Sequence, residues 1–158
     1  MIPEEIRVLI LALIPLFETR VSIPYGIAIA GLPALEVMVI SLIGNLMPLP
    51  FLLLGLSKLE KWALKDGDGW LRKIIASIYA NLVFRVRNRG ERYINKYGML
   101  GLALFVAVPL PGSGIWAGSL LAHILGLSLR GSLIAIAVGA LVAALLVLVG
   151  TLGIIIIA

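Results

Sequence analysis

The chain has 158 residues, 61% of them hydrophobic and 13% charged, with a mean hydropathy of +1.14 and a formal net charge of +5. A soluble domain would not expose this much apolar surface, so composition implies one compact all-α bundle in a membrane. With no cysteine there is no disulfide, thiol chemistry or cysteine-ligated metal, and His123 as the single histidine argues against a His-rich metal site, so neither metal nor cofactor is expected.

The start, MIPEEIRVLILALI, carries acids where a secretory leader would carry basic residues and shows no clean small-residue cleavage site, so it is read as mature protein. Pro3–Leu16 opens a helix, because Pro3 suits a first turn and Glu4 and Glu5 suit the positive end of the helix dipole. Only about nine apolar residues follow Arg7 before Phe17, whereas crossing roughly 30 Å of hydrocarbon takes about 20 residues. The stretch Leu16–Gly31, LFETRVSIPYGIAIAG, then sets Glu18 and Arg20 beside a Pro-Tyr-Gly break. Pro15 and Pro24 interrupt the hydrogen-bond ladder, and Ile23 is biased toward an extended conformation because it precedes proline. Helix is expected to resume at Pro24, run to about Ala30 and stop at Gly31-Leu32-Pro33. Two short half-helices around a polar break fit either a kinked span or a re-entrant hairpin. Unpaired backbone at membrane depth is tolerated only when protein or a water-filled cavity covers it, and the hairpin is the expectation carried forward.

Ala34–Leu56 is long enough to span, with Glu36 near its outer end, Asn45 near mid-depth, and Pro48 and Pro50 set to kink its inner third. Ten of the thirteen basic residues then fall between Lys58 and Lys96, with only four acids. Because this segment interrupts hydrophobic spans, its charge points to anionic lipid headgroups on the cytoplasmic side and not to nucleic acid. Asp66-Gly67-Asp68-Gly69 reads as a turn, since the remaining ligands of a calcium loop are missing. Over Trp70–Tyr97, Leu71, Ile74, Ile75, Ile78, Leu82 and Val86 recur on one helical face. Such a helix lies in the interface, with Trp62, Trp70 and Tyr79 near headgroup level, or packs on the cytoplasmic end of the bundle.

Gly98–Val108 is again a short apolar half, broken by Pro109, Pro111, Gly112 and Gly114. Ile115–Leu125 forms its second half, Gly126 ends it, and Ser128 suits the N-cap of the last helix. Leu129–Ile157 is nearly pure aliphatic, and Gly131, Gly139, Ala140, Ala143 and Ala144 allow close helix approach, including in a homodimer. Gly150–Gly153 is expected to loosen its outer end. The halves, 1–56 and 98–158, thus share one plan and are joined by the basic linker 57–97 in a single membrane domain. With the linker cytoplasmic, the two hairpins enter from opposite sides. That is an inverted-topology repeat with both termini outside, an arrangement suited to secondary transporters.

Glu18 is the candidate for proton coupling: a carboxylate beside a cation at a membrane break can exchange a proton against a substrate, or simply hold the break together with Arg20. Arg20 either meets a phosphate or carboxylate headgroup or neutralises Glu18. The backbone of Pro111, Gly112, Ser113 and Gly114 makes either an anion-binding nest or a tight turn. Ser22, Tyr25 and Asn45 are the further binding candidates of the first half, with a structural interhelical contact the alternative for Asn45. Ser119 and His123 share a helical face in the second, His123 as a relay or a structural residue. Trp116 and Tyr25 flank a ligand or pack in the core. No hydrolase elbow, HExxH motif, carboxylate cluster or nucleotide loop is present, so no enzymatic activity is expected.

The run ETRVSIPYGIAIAG, followed after the linker by VAVPLPGSGIWAGSLLAHILG, resembles the small multi-drug export protein family over nearly the whole chain. That family looks like a distant branch of the DedA (SNARE-associated, VTT-domain) superfamily. The resemblance implies paired re-entrant hairpins and movement of polyprenyl phosphates or phospholipids, often with proton coupling. By this resemblance Glu18 matches the acidic residue of the first hairpin, Pro24 the proline of its break, and Pro109 with Pro111-Gly112 the Pro-Gly break of the second. The expected activity is a small proton-coupled secondary transporter or flippase for an amphiphilic, phosphate-bearing lipid. Proton-coupled efflux of lipophilic cationic drugs and a non-transporting membrane scaffold are the alternatives.

Overall fold

The computed structural model describes residues 2–64, 70–110 and 112–157, apart from the side chains at 59, 62–64, 70–73, 75 and 76. The turn expected at 66–69, Pro111, and the side chains of Trp62 and Trp70 therefore lie outside the described residues. Every regular element among them is helical: α1 (Glu4–Leu13), α2 (Glu18–Pro24) continuing as a wider π turn (Tyr25–Ile29), α3 (Ala34–Leu46), α4 (Leu49–Leu64), α5 (Trp70–Ala107), α6 (Ile115–Ile124) and α7 (Leu129–Ile157).

Two stretches are long and apolar enough to cross a bilayer: Ala34–Lys58, 25 residues, and Leu129–Ile157, 29 residues. Their most apolar windows are only 28% and 22% buried within the chain, unlike core helices of a soluble protein. Ile134, Val149 and Ile156 are 63%, 69% and 84% exposed. Apolar surface of that extent is stable against lipid and not against water. The chain is a membrane protein.

The long first stretch is kinked where expected. α3 ends at Leu46 and α4 starts at Leu49, around Pro48, which has no N–H to give to Gly44. The first broken stretch differs from expectation. The helix breaks at 14–17, around Pro15 as expected, but not at Pro24-Tyr25-Gly26, where Ile23 and Pro24 are helical and a π turn follows. Pro24 is absorbed by a change of ladder: Ala30 N–H donates to the Tyr25 carbonyl five residues back, the π pattern that follows a missing bond. Ile23 and Ser22 are fully buried. Their packing outweighs the local preference of a pre-proline residue for extended backbone. The end of α7 also differs: the helix runs unbroken through Gly150 and Gly153.

Helix α5 is interrupted at Gly98, whose φ of 58° and ψ of −130° suit glycine alone. The turn folds the chain back so closely that a Cβ on Gly101 would overlap the Tyr93 carbonyl. The preceding basic portion is split in role. Val86, Gly90 and Ile94 are buried, with Gly90 against Leu121 of α6, while Ile74, Ile78 and Leu82 stay about half exposed. One end of this helix packs on the bundle and the other presents an apolar face.

Close approach organises the rest. A Cβ on Gly44 of α3 would collide with Leu9 and Ala12 of α1, and one on Gly139 of α7 would collide with Ala103 and Val106 of α5. The Gly/Ala face of α7 invoked for a homodimer is thus filled within the chain, with Gly139, Ala140, Ala143 and Ala144 buried. The α6 helix ends in a Schellman-type cap: Gly126 takes φ of +62°, and Leu127 N–H donates to the Ala122 carbonyl. Gly31 takes φ of +68° after the π turn. Both glycine stops stand as expected.

Candidate functional site

The break between α1 and α2 is built on unusual backbone. Leu16 (φ 75°) and Glu18 (φ 48°) occupy the left-handed region. For residues with a Cβ this costs about 1–3 kcal/mol each and is held only by surrounding structure. What holds Glu18 is the other half of the chain. Its carboxylate accepts hydrogen bonds from the backbone N–H groups of Ile115 and Trp116, in the first turn of α6. These are donors the helix itself leaves unpaired. Gly114, immediately before, has no side chain because there is no room: a Cβ there would overlap the Glu18 carboxyl carbon and both its oxygens. Glu18 is 4% exposed.

Arg20, two residues further along α2, completes the link. Its Nη2 lies 4.0 Å from Glu18 Oε2 and donates to Ser113 Oγ at 3.1 Å. The single hydroxyl proton of Ser113 is shared between the carbonyls of Val108 and Leu110, at 2.5 and 2.8 Å, which shapes the second break. Arg20 Nε has no partner among the described residues. Gly112 adopts φ of +83°, and a Cβ there would lie 3.4 Å from Arg89 Nη1. A cation from the linker helix therefore stands over a break that contains none of its own.

Of the residues singled out by sequence, Glu18, Arg20, Gly112, Ser113 and Gly114 come together, and Pro111 falls outside the described residues. Ser22 is buried beneath them and donates to Ser41 Oγ at 2.8 Å. Tyr25 is drawn elsewhere: its hydroxyl donates to Glu4 Oε2 at 2.8 Å, and Glu4 also pairs with Arg7 at 2.6 Å. Asn45 and Ser119 are buried, and Asn45 Oδ1, Ser119 Oγ and Trp116 Nε1 have no partner among the described residues. His123 does not join Ser119. At the opposite end of α6 from Glu18, its Nε2 lies 2.7 Å from Glu60 Oε2 of α4, beside a cavity of about 390 Å³ that Tyr79 also lines.

Sequence reading missed Ser41, Glu60 and Arg89 as partners. Ser41 carried a signal, since a serine within the apolar run of α3 must find a hydrogen bond. Glu60 and Arg89 sit among other charges, where nothing marks one from its neighbours.

The arrangement is an internal ion site. A carboxylate occupies an anion position made of helix amides, a cation bridges it to the facing break, and apolar side chains such as Ile23 and Ile115 seal the surroundings. Anions bind at helix N-termini because the unpaired amides and the dipole favour negative charge.

The family model described as "Putative small multi-drug export protein" matches residues 18–146, most of the chain. The chain belongs to that family, and the matched region begins at Glu18. No curated protein and no solved structure matches it.

Proposed function

We propose that this member of the small multi-drug export family is a secondary transporter for an amphiphile with an anionic, phosphate-bearing head. Glu18 is the group that couples its movement to a proton. One observation carries this reading: the Glu18 carboxylate of one break lies on the helix amides of the other, with Arg20 beside it. An anionic head that is to use those amides and Arg20 must displace the carboxylate. A protonated Glu18 releases the site, because a neutral carboxyl is a weak acceptor and no longer attracts Arg20. Head and proton then occupy the site together and leave together.

In this proposal each half is a re-entrant hairpin plus a long span, and the halves form an inverted repeat about the Glu18 site. Support comes from their shared plan. Each has a short helix, a break, a second short helix, a glycine at positive φ (Gly31, Gly126) and a long apolar helix. In each, another glycine thirteen residues on (Gly44, Gly139) seats that helix against the first short one. The basic helix marks the cytoplasmic face and both termini lie outside, by the preference of positive charge for the cytoplasm. The same plan supports a distant kinship with the DedA superfamily.

The test is flux. Purified protein in liposomes is expected to move a labelled polyprenyl phosphate between leaflets at a rate that depends on pH, and Glu18→Gln is expected to abolish that dependence. A Glu18→Gln variant that keeps the rate and the pH dependence of the unaltered chain would remove the coupling role. A second reading, no better or worse supported by the family description, is export of lipophilic cations that compete with a proton for Glu18. It predicts proton release when tetraphenylphosphonium is added to the protein in unbuffered detergent, and none from Glu18→Gln.

A further inference from the structure

Helix α6 has two unlike faces. One is apolar and closed: Gly118 packs against Val106 and Ile136, and Leu121 against Gly90. On the other, Trp116, Ser119 and His123, at i, i+3 and i+7, fall within about 60° of the helix circumference. His123 turns this face toward α4, where its Nε2 lies 2.7 Å from Glu60 Oε2. Trp116 begins it beside Glu18, whose carboxylate accepts from the Trp116 backbone N–H. Between these ends the polar atoms are unmatched. Ser119 is fully buried, and neither its Oγ nor Trp116 Nε1 has a partner among the described residues. A buried helical hydroxyl commonly turns back to the carbonyl four residues earlier, as Thr151 does to Val147 at 2.8 Å; Ser119 does not. The face ends at the cavity of about 390 Å³ lined by His123, Glu60 and Tyr79, and the Tyr79 hydroxyl is likewise without a partner among the described residues.

Buried polar groups are paired with protein or with water, and in a membrane protein they face one another or a water-filled space. The spacing here fits water. Along the helix axis Trp116, Ser119 and His123 stand about 4.5 and 6 Å apart, a gap that one water spans with a hydrogen bond of about 2.8 Å on each side. We propose that this face of α6 is a hydrated seam that carries protons between the His123–Glu60 cavity and Glu18. A proton from the cavity passes to the water beside His123. The Ser119 hydroxyl accepts a proton from that water and gives its own to the next, which delivers one to the Glu18 carboxylate. Each oxygen on the way keeps its number of hydrogens, and Glu18 alone gains one. Trp116 is a positioning residue: an indole N–H donates only, so it holds the last water and takes no part in the transfer. That Glu18 uses the proton rests on the transport reading; the seam itself does not.

The chain has no cysteine, so Ser119→Cys sets a single thiol in the seam. The probe is Ag⁺, a small ion confined to water, added to the full chain in a nonionic maltoside; thiol left free is counted with a fluorescent maleimide after denaturation. Ala140→Cys is the control, at a position 1% exposed within the apolar core, where reaction waits for local opening. Ser119→Cys is expected to be blocked faster than this control by about tenfold or more. Ala80 is exposed and lines the cavity, so Ala80→Trp is expected to slow the Ser119→Cys reaction several-fold. Equal rates at the two thiols would overturn the seam, and a rate that Ala80→Trp leaves unchanged would overturn the route through the cavity. Gel filtration confirms that each variant stays folded. The relay is read as flux in liposomes: Ser119→Val, which replaces the hydroxyl by methyl groups, is expected to slow the pH-dependent part by about tenfold or more, and Ser119→Thr, which keeps a hydroxyl, to restore it. Unchanged flux in Ser119→Val would overturn the relay. Blocking by Ag⁺ needs no transport, so a reactive Ser119→Cys thiol stands even if Glu18→Gln leaves transport untouched, and a sealed thiol overturns the seam while leaving Glu18 as the coupling group.

Discussion

Replacing Gly114 by alanine tests the link between the two breaks directly. The backbone at Gly114, φ −77° and ψ −160°, is extended and open to any residue, so the substitution adds only a methyl group. That methyl overlaps the Glu18 carboxyl group, and the carboxylate must leave the amides of Ile115 and Trp116. Two charge-assisted hydrogen bonds are lost from a residue that is 4% exposed. Each is worth about 1.5–3 kcal/mol, part of it recovered by whatever the displaced groups find, so a net cost of about 3 kcal/mol is expected. For a chain of this length that is roughly 6–12 °C in the unfolding midpoint. Glu18→Ala removes the same contacts and is expected to cost about as much. The decisive quantity is the cycle. In Glu18→Ala with Gly114→Ala the methyl meets no carboxylate, so the double variant is expected to lie within about 1 kcal/mol of Glu18→Ala alone. Thermal unfolding in detergent, followed by tryptophan fluorescence, supplies all four corners. Additive losses, about 6 kcal/mol in the double variant, would mean that the alanine acts on something other than Glu18, and the picture of one acid bridging the breaks would be refuted.

Two further perturbations discriminate between kinds of contact. Ser22→Ala leaves the buried Ser41 hydroxyl without its 2.8 Å partner and is expected to cost about 1–2 kcal/mol. Ser22→Ala with Ser41→Ala should be less harmful than the sum, because neither hydroxyl is then stranded; strict additivity in melting experiments would count against the bond. The His123–Glu60 contact at 2.7 Å is partly open to solvent, with side chains 19% and 40% exposed, so screening holds it below about 1 kcal/mol. Glu60→Gln should therefore lower the unfolding midpoint by no more than about 2–4 °C; a larger loss would mean that Glu60 does more than meet His123.

Much of this protein follows from the order of its residues alone, where the cause is local. Apolar runs of 25 and 29 residues make membrane helices whatever surrounds them. Pro48 kinks a helix because it has no N–H, and Gly31, Gly98 and Gly126 end or turn helices because they tolerate positive φ. Pro24 marks where local rules stop deciding. Its neighbour Ile23 is helical because burial of Ser22 and Ile23 outweighs the pre-proline preference, and the strain appears instead at Leu16 and Glu18. What only the tertiary structure decided is who meets whom. Arg20 finds Ser113 across 93 residues of chain and His123 finds Glu60 across 63. Arg89 covers a break that lacks a cation of its own. Hydropathy and periodicity describe a residue's own helix face. They carry no information about the facing helix, and in this chain a charge or hydroxyl is matched by a partner that packing alone brings within reach.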